Sequence, residues 1–185
     1  MRIHPMLILS AAALAVGTTS FARAQVESTP IPAPRKPNFS SAEFLIGTWS
    51  CSTKSARRPT PYMTTATYKM DPSGYWINEV STTNPTKWIP TKLSFWDKIT
   101  YDSDTHRWVD VSYGDGGSYG LSFSSGWNGN KLSWHDVSLA PGPDIKSQTD
   151  TVMTKVSATK FTTSSSFTET KTGRVVSVAG VCTKQ

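Results

Sequence analysis

The chain has 185 residues and a formal net charge of +6, and 17% of its residues are charged. Its 7 Trp, 6 Tyr and 7 Phe are too many for a disordered chain, and the low charge content differs from that of a coiled coil. Ser and Thr supply 50 of the 185 residues, and β-branched Thr favours pleated surfaces. The composition therefore predicts one folded, β-rich domain.

The first 24 residues have the pattern of a secretory signal peptide. Arg2 precedes an apolar run from Met6 to Val16, and Ala22-Arg23-Ala24 is an A-x-A cleavage site. The run is too short for a transmembrane segment, which needs roughly 20 residues. We therefore predict an exported protein, periplasmic or extracellular, whose mature chain begins at Gln25. Its lysines are scattered along the chain, so we expect no nucleic-acid partner.

Residues 25–39 form a predicted proline-rich tether, because Pro30, Pro32, Pro34 and Pro37 favour an extended chain. The folded domain is predicted over residues 40–185. Its first element is one or two helical turns, capped by Ser40 or Ser41 and ending at Gly47.

The rest of the chain alternates short runs of apolar and polar residues with turn sequences such as Asn128-Gly129-Asn130. This pattern predicts an all-β antiparallel meander of about ten strands, either a closed barrel or a two-sheet sandwich. The predicted strands are 48–54, 62–70, 75–83, 92–101, 107–113, 118–125, 131–139, 148–157, 161–169 and 174–182.

Alternation along the strands predicts which side chains face the interior. Asp97 shares a face with Phe95 and Ile99, so we predict that it points inward and anchors a ligand; an internal salt bridge or a bulge is the alternative. The same test predicts that Tyr113, Tyr119 and Phe123 point inward and line the ligand site. Val109, Val111 and Leu121 belong to the same predicted inner face, and Trp96 and Trp108 to the outer one.

Cys51 and Cys182 are the only cysteines. Export to an oxidising compartment favours a disulfide between them, which would place the first and last strands side by side and so favour a closed barrel. A zinc site is the alternative, but His106 and His135 are adjacent to neither cysteine, so we predict no metal.

Residues 44–51, Phe-Leu-Ile-Gly-Thr-Trp-Ser-Cys, resemble the opening of a lipocalin or related calycin barrel. The resemblance implies an up-and-down barrel whose closed end is plugged by Trp49, with Gly47 allowing the tight turn into the strand. It also implies a basic residue packed over that Trp. If Cys51 lies opposite Cys182, Lys184 lies opposite Trp49 and is the candidate.

The number of strands is similar to that of the fatty-acid-binding and nitrobindin branches of this family. Nitrobindin-like proteins bind haem through a histidine near the C-terminus, and no histidine follows His135 here, so no cofactor is expected. The chain is also similar to exported bacterial proteins of unassigned function that share an L-x-G-x-W opening.

The sequence predicts a monomer that binds a small, largely apolar molecule inside the barrel without catalysis. One alternative is a carbohydrate-binding module that uses exposed Trp residues. Another is a barrel enzyme of cyclase or isomerase type, for which Asp97 and His135 are the one acid–base pair that the sequence offers.

Overall fold

The computed structural model describes residues 33–139 and 145–185. The predicted signal peptide, and the predicted tether up to residue 32, lie outside the described residues. The compact unit that contains the strands spans Pro34–Gln185.

A 3-10 turn over Glu43–Leu45 precedes the strands and matches the predicted helical turn. The described residues form twelve strands, in which all ten predicted strands can be recognised. They are β1 (Gly47–Ser55), β2 (Tyr62–Met70), β3 (Ile77–Thr83), β4 (Leu93–Asp102), β5 (Arg107–Gly114), β6 (Tyr119–Ser124), β7 (Trp127–Asn128), β8 (Lys131–Leu139), β9 (Ile145–Gln148), β10 (Thr151–Ser157), β11 (Lys160–Glu169) and β12 (Val175–Lys184).

Ten of these strands form a closed antiparallel barrel. Neighbours in sequence pair from β1 to β6, then β6 pairs with β8, β8 with β10, β10 with β11 and β11 with β12. Pairing of β12 with β1 completes the ring, while the short strands β7 and β9 pair outside it. Cys51 lies opposite Cys182 in the β1–β12 pair, and the two form a disulfide. The predicted fold class and disulfide are both confirmed.

One end of the barrel is closed around Trp49, which is fully buried. Its Nε1 donates a hydrogen bond to the Leu45 carbonyl oxygen at 2.6 Å, and the Phe161 ring lies 4.7 Å away between centroids. Lys184 lies opposite Trp49 in the register, with its Nζ 5.4 Å from the centre of the Trp49 ring. The same Nζ donates to the Phe44 carbonyl oxygen at 2.9 Å. The 3-10 turn is thereby fixed across this end.

Gly47 has a conformation that favours glycine, with φ of 129°. A Cβ at this position would lie 2.7 Å from Cε of Lys184. The positive φ favours glycine where the chain turns from the 3-10 helix into β1, and a larger residue would also displace the end of the Lys184 side chain.

The segment before the 3-10 turn packs on the same end. Phe39, within the predicted tether, is buried, and its ring centroid lies 6.0 Å from that of Trp108. The Tyr75 hydroxyl donates to the Pro34 carbonyl oxygen at 2.8 Å.

The inner face of β4 follows the prediction, but the inner faces of β5 and β6 do not. Pairing places Ser112 beside Asp97 and Asp110 beside Ile99, so the polar positions of β5 face inward. Tyr113 and Tyr119 are 50% and 58% exposed, and Phe123 pairs with Val109 on the same outer face. The predicted inward orientation of Tyr113, Tyr119 and Phe123, and with them Val109, Val111 and Leu121, is therefore wrong.

On β5 and β6, polar side chains face the interior where the prediction placed aromatic ones. Ser122 and Ser124 are buried on β6, and Trp108, predicted to face outward, is buried at the closed end. Trp96 does face outward, stacked on Tyr113 with 5.3 Å between ring centroids. The apolar alternation of β5 and β6 thus marks the outer surface rather than the core.

Candidate functional site

A cavity of about 260 Å³ lies inside the barrel, between β1, β2, β3, β4 and the strands β10 to β12. Its apolar wall consists of Ala66, Phe95, Met153, Phe161 and the disulfide. Its polar wall consists of Thr53, Tyr62, Thr64, Tyr68, Glu79, Ser81, Thr83 and Thr163. We call this space the lumen. Since these residues alternate with outward-facing ones along their strands, they are the inner face of the sheet.

A second cavity of about 390 Å³ lies where β1 ends and β2 begins, at the end opposite to Trp49. We call it the mouth. Tyr62 lines both the mouth and the lumen, so the two spaces are neighbours on either side of this side chain. The other residues that line the mouth are Ser55, Arg57, Arg58, Thr60, Thr86, Trp88, Ile89, Ile145, Phe167 and Val178.

Acidic side chains form a group on the inner face beside the lumen. Glu79 and Asp97 are direct neighbours across β3 and β4, and Asp110 lies one step closer to the closed end on β5. Tyr68 is the direct neighbour of Glu79 on β2. No lysine or arginine in the described part of the chain forms an ion pair with these carboxyl groups.

Their pKa values follow from this environment. Burial raises the pKa of Glu79 well above its ordinary value, and the charges of Asp97 and Asp110 raise it further. Burial raises the pKa of Asp97 to about 6. Burial, with the charges of Asp97 and Asp136, raises the pKa of Asp110 to about 8. Asp110 therefore holds its proton near neutral pH and can donate a hydrogen bond, and the pKa of Glu79 is shifted in the same direction.

Tyr68 belongs to the same group of side chains. Burial raises the pKa of its hydroxyl well above 10, and the charge of Glu79 and a hydrogen bond to it contribute. The Tyr68 hydroxyl stays protonated as a result. It is hydrogen-bonded to Glu79 at the wall of the lumen.

Asp136 differs from Asp110 because both of its carboxylate oxygens have hydrogen-bond partners. It accepts a short hydrogen bond from the Ser122 hydroxyl and another from Nε2 of Gln148 at 3.0 Å. By contrast, Oδ1 of Asp110 is buried and has no hydrogen-bond partner among the described residues.

The predicted site residues are only partly brought together. Asp97 points inward, but Glu79, its neighbour on β3, is the carboxyl group that lines the lumen. The ligand-anchoring role of Asp97 stays a prediction. His135 is exposed on the outer face, where its Nδ1 lies 2.8 Å from Oδ1 of Asp150. Asp97 and His135 are therefore on opposite faces of the sheet, and the structure does not pair them.

The sequence analysis missed Glu79, Asp110 and the mouth residues Arg58 and Trp88. Glu79 could have been found from its strand, since Ile77, Glu79 and Ser81 alternate with Asn78 and Val80. Arg58 and Trp88 lie in separate loops, and only the fold brings them together.

Two classes of feature are absent from the described residues. No group of three or more His, Cys, Asp or Glu side chains in residues 33–139 and 145–185 is arranged to hold a metal ion. No helix in those ranges is long and apolar enough to cross a membrane.

No protein-family model matches the chain, and no curated protein sequence matches it significantly. Among solved structures, that of EF1p2_mFAP2b bound to DFHBI is similar to this chain, with 15% sequence identity and a TM-score of 0.37. The match covers 78% of this chain and 96% of that chain. At this TM-score the similarity supports no conclusion about function, which must come from the residues of the barrel itself.

Proposed function

We propose that this protein binds a small, largely apolar molecule in the lumen of its barrel and performs no catalysis. The observation that carries the proposal is a lumen of about 260 Å³ that shares the lining residue Tyr62 with a mouth of about 390 Å³. Ligand pockets commonly have volumes of about 300–1,000 Å³ and a mostly apolar lining with a few polar groups. The lumen and mouth together fall in this range.

The chemistry of the lumen supports a ligand with an apolar body and one polar group. Phe95, Met153 and Phe161 offer apolar contacts. Burial raises the pKa of Glu79, and in its protonated form it can donate a hydrogen bond to a ligand oxygen or accept one from a ligand hydroxyl. Asp97, beside Glu79, is proposed to support this anchor.

The proposal extends to a lipocalin-like, exported monomer. The Cys51–Cys182 disulfide supports export, because such bonds persist in oxidising compartments. A closed barrel with Trp49 plugging one end and Lys184 over its ring supports the lipocalin-like assignment. Both remain proposals beside the binding function.

Filling the lumen is expected to abolish ligand binding. Ser81 is buried on β3 and lines the lumen, so Ser81→Phe places a phenyl ring where the ligand body would lie. Titration with the uncharged fluorescent probe N-phenyl-1-naphthylamine should show saturable binding to the natural protein and at least about tenfold weaker binding to the variant, a loss of about 1.4 kcal/mol.

Val80→Phe is the matched control for this substitution. Val80 is adjacent on the same strand but faces outward and is 45% exposed, so the variant should bind the probe as the natural protein does. Unchanged binding in Ser81→Phe, or equal losses in both variants, would contradict a ligand site in the lumen.

The outer face favours a second candidate, carbohydrate binding. Trp96 and Tyr113 stack there beside a cavity of about 210 Å³ that is also lined by Asn78, Val80 and Lys98. Aromatic rings beside amide and ammonium donors can pack on a sugar ring and hydrogen-bond its hydroxyls.

For this candidate, Trp96→Ala should remove the fluorescence response to maltohexaose or cellohexaose. Trp88→Ala, which removes an exposed Trp at the mouth, should retain it. If the fluorescence of the natural protein responds to neither sugar, carbohydrate binding is excluded for maltohexaose and cellohexaose.

A further inference from the structure

The mouth of the barrel is basic. Arg58 and Lys87 both lie over the ring of Trp88, with Cζ and Nζ at 5.0 and 5.6 Å from its centroid. Trp88 is 41% exposed, so its ring holds these cations at the solvent boundary. Arg57 also lines the mouth, and its Nε lies 3.0 Å from Oε1 of Glu169.

Arg58 differs from Arg57 in having no acidic partner in residues 33–139 and 145–185. Packing on Trp88 holds the guanidinium group in place and leaves its N–H groups available for an anion. Arginine binds carboxylate or sulfonate oxygens through charge-assisted, often bidentate hydrogen bonds. Within the described residues, no acidic side chain lines the mouth to compete for it.

The lumen has the opposite character. Glu79 is its one carboxylic acid among the described lining residues, Asp97 and Asp110 lie beside it, and no lysine or arginine lines it. An anionic group placed there would face these carboxyl groups and lose its hydration without gaining a cation. Of these two spaces, the mouth is therefore the favourable one for the anionic group of a ligand.

We propose that the ligand is an amphipathic organic anion, a carboxylate or sulfonate on an apolar body, bound with its anionic group at Arg58. Its body passes over Trp88, Ile89 and Phe167, past Tyr62, and ends in the lumen. The proposal rests on the binding function proposed above and adds the chemical class and orientation of the ligand.

Two fluorescent probes with the same ring system test this proposal. 8-Anilinonaphthalene-1-sulfonate carries a sulfonate, and N-phenyl-1-naphthylamine does not. The natural protein should bind the sulfonate probe about tenfold more tightly than the uncharged one, and Arg58→Gln should remove this difference while leaving the affinity for the uncharged probe unchanged. Added salt should weaken binding of the sulfonate probe alone.

Arg107→Gln is the matched control, because Arg107 also lies 5.0 Å over an aromatic ring, that of Phe123, but on the outer face. It removes the same charge and should leave both affinities unchanged. Ser81→Phe should weaken binding of both probes if both occupy the lumen.

The outcomes separate the two proposals. If the natural protein binds neither probe, the binding function fails and this inference fails with it. If it binds both with equal affinity, or if Arg58→Gln changes both affinities alike or neither, the anion site is overturned while the binding function stands. A loss of preference in Arg107→Gln equal to that in Arg58→Gln would also overturn it, since general charge would then explain the effect.

Discussion

Replacement of Asp110 by asparagine is expected to make the protein more stable at alkaline pH and to flatten the dependence of its stability on pH. The pKa of Asp110 is raised from 3.8 to about 8 by burial and by the charges of Asp97 and Asp136. Between pH 3.8 and about pH 8, Asp110 keeps its proton in the folded protein but has released it in the unfolded chain. The stability present below about pH 4 is therefore lost as the pH rises through about 8.

The size of this loss follows from the shift. One unit of pKa corresponds to about 1.4 kcal/mol, so the full shift of Asp110, from 3.8 to about 8, is on the order of 6 kcal/mol. Asp97 adds to this loss of stability as the pH rises from 3.8 to about 6, because its pKa is raised over that range. The free energy of unfolding, measured with urea, should fall between about pH 5 and about pH 9 in both proteins. The fall in Asp110→Asn should be at least about 2 kcal/mol smaller than the fall in the natural protein.

An asparagine side chain is close in shape to a protonated aspartate, so the stabilities of the two proteins should converge as the pH falls to about 4, where Asp110 is protonated in both the folded and the unfolded chain. Asp104→Asn is the control, because Asp104 is exposed in the turn between β4 and β5. Its pH profile should follow that of the natural protein. An Asp110→Asn profile that coincides with both would show that Asp110 does not carry the expected charge penalty.

The parts of the fold that could be predicted from sequence are those set by local chemistry or by a covalent bond. Turn sequences separated the strands, and the pair Cys51 and Cys182 placed the first strand beside the last. Once those two residues are opposite each other, the antiparallel register places Lys184 opposite Trp49 by counting. These inferences need no knowledge of which face of a strand is buried.

The faces of β5 and β6 required that knowledge. On β5, Trp108, Asp110 and Ser112 alternate with a more apolar set that includes Val111 and Tyr113. The rule that the apolar set faces inward fails here because this interior contains carboxyl and hydroxyl groups that are protonated or hydrogen-bonded. Only pairing with β4 determines which set shares a face with Asp97.

The candidate site was predictable in kind but not in its residues. The resemblance to a barrel with a plugged end indicates an interior ligand. The alternation of the strand that contains Asp97 indicates a carboxyl group among apolar neighbours. The lumen instead presents Glu79, whose strand Ile77–Thr83 shows only a weak alternation, with Ile77 on the same face as Glu79 and Val80 on the other. The contact of Arg58 with Trp88 joins two loops with no spacing rule between them.

Removal of the disulfide is expected to lower the free energy of unfolding by about 2–5 kcal/mol. The bridge joins residues separated by 131 positions, so its loss frees most of the unfolded domain from a cross-link. It also lies at the seam between β1 and β12, where the barrel closes. Urea unfolding of the double variant Cys51→Ala, Cys182→Ala, compared with the oxidised natural protein, measures this effect.

Both cysteines are buried, so the double variant also loses some packing beside the lumen. Unfolding the natural protein in dithiothreitol separates the two effects, because reduction removes the cross-link and keeps both sulfur atoms. The reductant should destabilise the natural protein by most of the expected amount and leave the double variant unchanged. Equal stability of oxidised and reduced protein would mean that the β1–β12 ladder and the cluster around Trp49 close the barrel without help from the bridge.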